Sequence, residues 1–159
     1  MSGSSERALD EKFYAYISTV VALSRLQLPS AQAELVLLRQ HRDARVRAKS
    51  VKYMARCWRL VPRSIDSRAL APALADSVMF EAVKIGLRDH DRVVREECLR
   101  VARNQPDRRW FSELACHLAD SSATLRQQAS QAMLACATDD EDALAAVFRE
   151  LTKGVLTAV

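Results

Sequence analysis

The sequence predicts an all-α fold, and three observations carry that prediction. Only 3 Gly and 4 Pro occur in 159 residues, too few for a β-rich chain built on tight turns. Hydrophobic residues make up 49% of the chain, enough to form the core of a single domain at this length. Those residues recur at threes and fours, the helical period, among Ala, Leu, Arg, Glu and Gln, which all favour helix.

Residues 1–7 read as a flexible, Ser-rich start. From about Ala8 to Leu26, the residues Leu9, Phe13, Tyr16, Ile17, Val20 and Val21 keep helical spacing, and Pro29 ends the element. Ser30 is the expected N-cap of a helix that buries Leu35 and Leu38 and stops near His41. Asp43 caps the next helix, which runs to about Leu60 because Pro62 disfavours helix in the residue before it. Residues 62–75 hold two prolines and read as a long connection. Asp76 caps a helix to about Leu87, Asp91 one to about Asn104, Asp107 one through Leu118, and Ser122 one from Ala123 to Ala137. Thr138 and Glu141 form a capping-box signature. They open a last helix, 138–153, with Leu144, Val147, Phe148 and Leu151 as its apolar stripe. Gly154 sits where a helix C′ residue belongs, and residues 154–159 form a tail.

These helices are self-similar when aligned on Arg47, Arg95 and Arg126. The residue before each arginine is Val46, Val94 or Leu125, and four before stand Asp43, Asp91 and Ser122, all N-cap types. Six before are His41, Asp89 and Asp120, and three after are the small residues Ser50, Cys98 and Ala129. The pattern resembles the HEAT repeat family, whose units are antiparallel helix pairs with Asp and then Val-Arg opening the second helix. The stretches Leu87–Ala102 and Leu118–Met133 carry the resemblance most closely, and His41 departs from the family Asp. The resemblance implies one domain over residues 1–159. Its core would be a short right-handed α-solenoid of about three HEAT-like antiparallel helix pairs across 30–137, with N- and C-terminal capping helices. A helix pair cannot bury its apolar faces alone, and stacking pairs closes a core between neighbours. The second helix of each pair would then line a concave surface, and the three arginines would bridge adjacent repeats to acids such as Asp89 and Asp120. A buried guanidinium demands such partners.

Charge is unevenly distributed. Residues 39–68 carry ten basic and two acidic groups, whereas residues 110–159 carry three and seven. On the helix that Asp43 caps, Arg45, Lys49, Lys52, Arg56 and Arg59 fall at steps of four and three, within an arc of roughly 80°. No acid interrupts them, although like charges at that spacing repel. The counterparts of Lys49 in the other two units are Glu97 and Gln128, so the repeat does not require the stripe. These five are the candidate partner-binding residues. An acidic protein surface is the leading partner, since protein binding is what the resembled family mostly does. Nucleic acid is the alternative: the stripe extends roughly 21 Å and could follow several phosphates. Self-association through the acidic C-terminal third is a further possibility.

Chemistry has little support in the sequence. There is no CxxC, HExxH, Walker loop or dinucleotide glycine cluster, so no catalytic, metal or cofactor residue is expected. Cys57, Cys98, Cys116 and Cys136 each fall on or near an apolar helix side and read as buried, reduced thiols, which suits a cytoplasmic protein. Trp58 and Trp110 read as packing residues, and Gly86 as a point of close helix approach. The longest apolar run, Phe13–Leu23, is too short to span a bilayer, and no signal-peptide pattern opens the chain. The expectation is a non-catalytic scaffold or adaptor.

Overall fold

The computed structural model describes residues 29–59 and 70–137, with scattered positions at 15–22 and 142–152. Every regular element among them is helical, and no strand occurs among the described residues. The principal helices are α1 (Pro29–Leu38), α2 (Ala44–Arg59), α3 (Leu70–Leu87), α4 (Arg92–Asn104), α5 (Phe111–Cys116) and α6 (Ala123–Ala137). Short 3₁₀ turns, Arg108–Trp110 and His117–Ala119, flank α5 and tighten its ends.

The local signals explain most boundaries. The Asp43, Asp91 and Asp107 carboxylates accept from the amides of Arg45, Val93 and Arg109, two residues on in each case, at 2.8, 2.9 and 2.9 Å. Two starts differ from expectation. Pro29 opens α1 instead of closing the preceding helix, which puts Ser30 inside α1. Helix α3 begins at Leu70, so Asp76 is internal and not a cap. In both cases proline falls in a first turn, where its missing N–H removes no intrahelical bond. The connection read for 62–75 is therefore shorter, and residues 60–69 lie outside the described set, as do residues 1–7, the Thr138–Glu141 box and the tail. Tyr16 donates to Glu34 at 2.5 Å, linking the first helical stretch to α1.

The helices make two layers. α2, α4 and α6 pack side by side in chain order, while α1, α3 and α5 each pack against the helix that follows. α3 also touches α2, and α5 touches α3. Arg47 near the start of α2 reaches Asp89 before α4, and Gln105 just after α4 donates to the Ala55 carbonyl late in α2 at 2.8 Å. Helices α2 and α4 therefore run in the same direction. Between the layers Leu35, Val51, Met79, Val83, Leu87, Val94, Leu99, Leu114, Leu125 and Met133 are buried almost completely. Trp110 joins them and stacks on Phe80 at 6.2 Å between centroids.

One turn geometry is used three times. Arg47 Nη1 donates to the carbonyls of His41 and Arg42 at 2.9 and 3.0 Å. Arg95 does the same to Asp89 and His90, both at 3.0 Å, and Arg126 to Asp120 and Ser121 at 2.8 and 3.1 Å. The residue six before each arginine also accepts from an amide two positions on. Asp89 and Asp120 do this through Oδ1, at 2.9 and 2.8 Å, and His41 through Nδ1, at 3.1 Å. The histidine thus keeps the turn-forming bond of the aspartates. Each arginine can then reach forward to the next turn. Arg47 grips Asp89 through two nitrogens at 2.7 and 2.8 Å, and Arg95 approaches Asp120 at 3.6 Å. Arg126 has no acid across from it among the described residues and is exposed.

Cys98 and Cys136 are buried thiols, but Cys116 is exposed, contrary to the expectation for all four cysteines. Cys116 closes α5 on its outer side, while the adjacent His117 turns inward and is buried. In the last stretch Leu144 packs on the core, whereas Phe148 is 62% exposed and so not part of an apolar seam.

Candidate partner-binding face

The candidate face is the outer side of α2, α4 and α6. On α2 the residues Val46, Ala48, Ser50, Val51, Met54 and Ala55 turn inward. This leaves Arg45 and Arg56 exposed with Lys49 and Lys52 half-buried between them. The 3.6-residue period produces both stripes from one helix. Arg59 ends α2; its side chain lies outside the described residues, as do those of Cys57 and Trp58.

The stripe is not uniform in charge. Arg45 is clamped onto Asp43 at 3.1 Å, so the helix cap neutralises it. The Arg45 guanidinium beside Asp43 in turn holds that carboxyl below the usual carboxylate range. Arg56 lies over the Tyr53 ring, 5.7 Å from its centroid, which fixes the guanidinium without cancelling its charge. Burial lowers the Lys52 ammonium below the usual lysine range, and the neighbouring cations Arg100 and Arg56 add to the effect.

Arg100 belongs to α4, so the basic surface crosses from one helix to the next. The sequence pattern missed it because acids interleave the arginines of α4. Arg92 pairs with Glu96 at 2.6 Å, and Arg100 pairs with Glu97. A signal was present: Arg100 follows Arg95 by the interval at which Lys52 follows Arg47, so stacked repeats bring the two cations together. Arg103 is also exposed on α4, and its Nη1 donates to Gln131 Oε1 on α6 at 2.9 Å. On α6 the outer positions Thr124, Gln127, Gln131 and Leu134 carry no charge. The face therefore grades from basic on α2, through paired charges on α4, to neutral amides on α6. Exposed Val93 and Leu134 add apolar contact area on α4 and α6.

Among the described residues no group of three or more His, Cys, Asp and Glu could hold a metal ion. No helix among them is long and apolar enough to cross a membrane. Comparison with family models, curated proteins and solved structures returns no match.

Proposed function

We propose that this chain is a non-catalytic, HEAT-like scaffold or adaptor that binds an acidic protein partner through the face of α2, α4 and α6. The architectural part of the reading is a short right-handed solenoid of about three antiparallel helix pairs with capping helices at both ends. It is supported by the arginine turn geometry repeated at Arg47, Arg95 and Arg126 and by the side-by-side packing of α2, α4 and α6. The reading is of a cytoplasmic protein with reduced thiols.

The observation that carries the partner assignment is the Lys49–Lys52–Arg56 surface. The helix between Ala44 and Arg59 contains no acid, and Arg100 joins the surface from the next helix. A cation cluster held together by the fold stores repulsion that an incoming carboxylate relieves. Nucleic acid is the second reading, favoured by the length of the stripe. Against it, Glu96 and Glu97 on α4 and the uncharged outer positions Thr124, Gln127 and Gln131 of α6 interrupt the positive track that a duplex backbone follows.

The test is fluorescence anisotropy at low salt with a labelled Glu-Glu peptide, its Gln-Gln counterpart, a short duplex and a single strand. The expected result is preferential binding of the Glu-Glu peptide, weakened about tenfold or more in Lys49→Glu/Lys52→Glu/Arg56→Glu, the scale of a lost charge-assisted contact. Duplex binding with a log–log salt slope of about −4 to −5 instead selects the nucleic-acid reading. A mass that stays monomeric at low salt at every concentration removes self-association.

A further inference from the structure

Lys52 is half-buried in the middle of a helix that contains no acid between Ala44 and Arg59. Lys49 precedes it by three residues and Arg56 follows it by four, so both lie on its side of α2. The packing of α2 on α4 adds a further cation. Arg47 binds Asp89 ahead of α4 and Gln105 binds back to Ala55, which sets the two helices side by side in one direction. In that register Arg100 is the counterpart of Lys52, each five residues beyond its turn-closing arginine. The acid on this part of α4, Glu97, is engaged by Arg100 itself. Arg56 is exposed and steadied over the Tyr53 ring, 5.7 Å from its centroid. An ammonium in such a cluster loses hydration and meets like charge, and both effects lower Lys52 below the usual lysine range. Lys84 on α3 is the contrast: it is also half-buried, but Glu81 lies 3.8 Å away.

A lysine that is partly desolvated and set beside other cations is an activated nucleophile, because more of it is present as the free amine. The guanidiniums that activate it are themselves phosphate binders. The two properties together select one class of reagent, an electrophilic carbonyl joined to a phosphate. We propose that Lys52 is an acylation site for small acyl phosphates, with Arg56 and Arg100 attracting the phosphate and Lys52 Nζ attacking the carbonyl carbon. The amine lone pair forms the new C–N bond as the C–O bond to phosphorus-bound oxygen breaks. Inorganic phosphate leaves with that electron pair, and the nitrogen releases its proton to solvent. The product is a neutral amide, so the repulsion from Arg56 and Arg100 is relieved permanently. The chemistry does not rest on the acidic-partner reading, although it would act on it: acylation removes the central charge of the Lys49–Lys52–Arg56 surface.

The experiment treats the full chain at low salt with acetyl phosphate and, separately, with acetic anhydride, which carries no phosphate. Peptide mass spectrometry follows acetylation of each lysine at low conversion and across pH. Acetyl phosphate should modify Lys52 severalfold faster than Lys84, with the Lys52 rate reaching its plateau at lower pH. Acetic anhydride should show a smaller preference, and added inorganic phosphate should reduce only the preference seen with acetyl phosphate. Arg56→Gln and Arg100→Gln alter exposed side chains, and thermal melts establish that both variants are folded. Each should slow Lys52 acetylation by acetyl phosphate severalfold and leave Lys84 unchanged. Equal rates at Lys52 and Lys84, or Lys52 rates that neither variant alters, overturn the proposal. A Lys52 preference of the same size with both reagents overturns the acyl-phosphate assignment. No peptide enters the measurement, so its outcome is separate from that of the acidic-partner test.

Discussion

Arg47 shows how one side chain can hold a turn and a helix–helix seam at once. It closes its own turn through two carbonyls and binds the next turn through Asp89, with the two side chains 8% and 13% exposed. Burial pushes the Asp89 carboxyl up, but the Arg47 guanidinium and the Asp91 amide outweigh it and hold the group below the usual carboxylate range. Removing one partner from such a pair strands the other. Asp89→Ala should therefore cost about 3–5 kcal/mol in urea unfolding. Arg126→Ala should cost far less, because Arg126 is exposed and has no acid to strand among the described residues. Equal losses in the two variants would mean that the buried ion pair is worth no more than the carbonyl bonds of an exposed arginine. The architectural role of these arginines was legible in the sequence. All three stand at a fixed distance from a cap and close the turn before their helix, but only Arg47 is buried with a close acid partner, Arg95 approaches one at 3.6 Å, and Arg126 is exposed. The positions of Arg100 beside Lys52 and of Arg103 beside Gln131 were not, because an exposed cation's neighbours are set by what the next helix places beside it.

Helix α4 meets α3 at Gly86. A Cβ built there would come within 2.3 Å of Cys98 Sγ, and Cys98 is fully buried. Ser50, Cys98 and Ala129 occupy the same position in the three second helices, and each is 0% exposed. Small residues there let the preceding helix approach, which is why the sequence alignment found size and not chemistry conserved within the chain. Gly86→Ala should cost about 1–3 kcal/mol, the range for overpacking a filled core. Pairing it with Cys98→Ala should recover part of that loss, measured as a coupling energy in a double-mutant cycle. Strict additivity of the two would place the clash elsewhere. Helix existence was legible throughout the described core because apolar spacing repeats every turn. The starts of α1 and α3 were not, because proline at a helix start and proline after a helix end leave the same mark in a sequence.

For the molecule as a whole, the ionisable groups predict a two-step loss of stability in acid. His117 is buried, and burial lowers its imidazole below the usual histidine range, a shift that the nearby Arg95 reinforces and Asp120 opposes. A histidine so depressed stabilises the fold above its unfolded pKa of about 6.5 and loses that contribution as pH falls below it. Asp43, Asp89, Asp107 and Asp120 are all depressed as well. Their contribution is complete above the unfolded value of about 3.9 and disappears as pH falls through their folded values. Melting temperature should therefore decline gently below about pH 6.5 and steeply below about pH 4. His117→Gln should remove the first decline and leave the second. A single acid transition in the unmodified chain would show that His117 does not titrate between the folded and unfolded states.

The two ends of the arginine ladder are chemically different. At one end Arg126 faces no carboxylate among the described residues, and at the other His41 offers an imidazole where the inner turns offer aspartate. The turn before α2 is therefore closed through an imidazole nitrogen, and the turns before α4 and α6 through carboxylates.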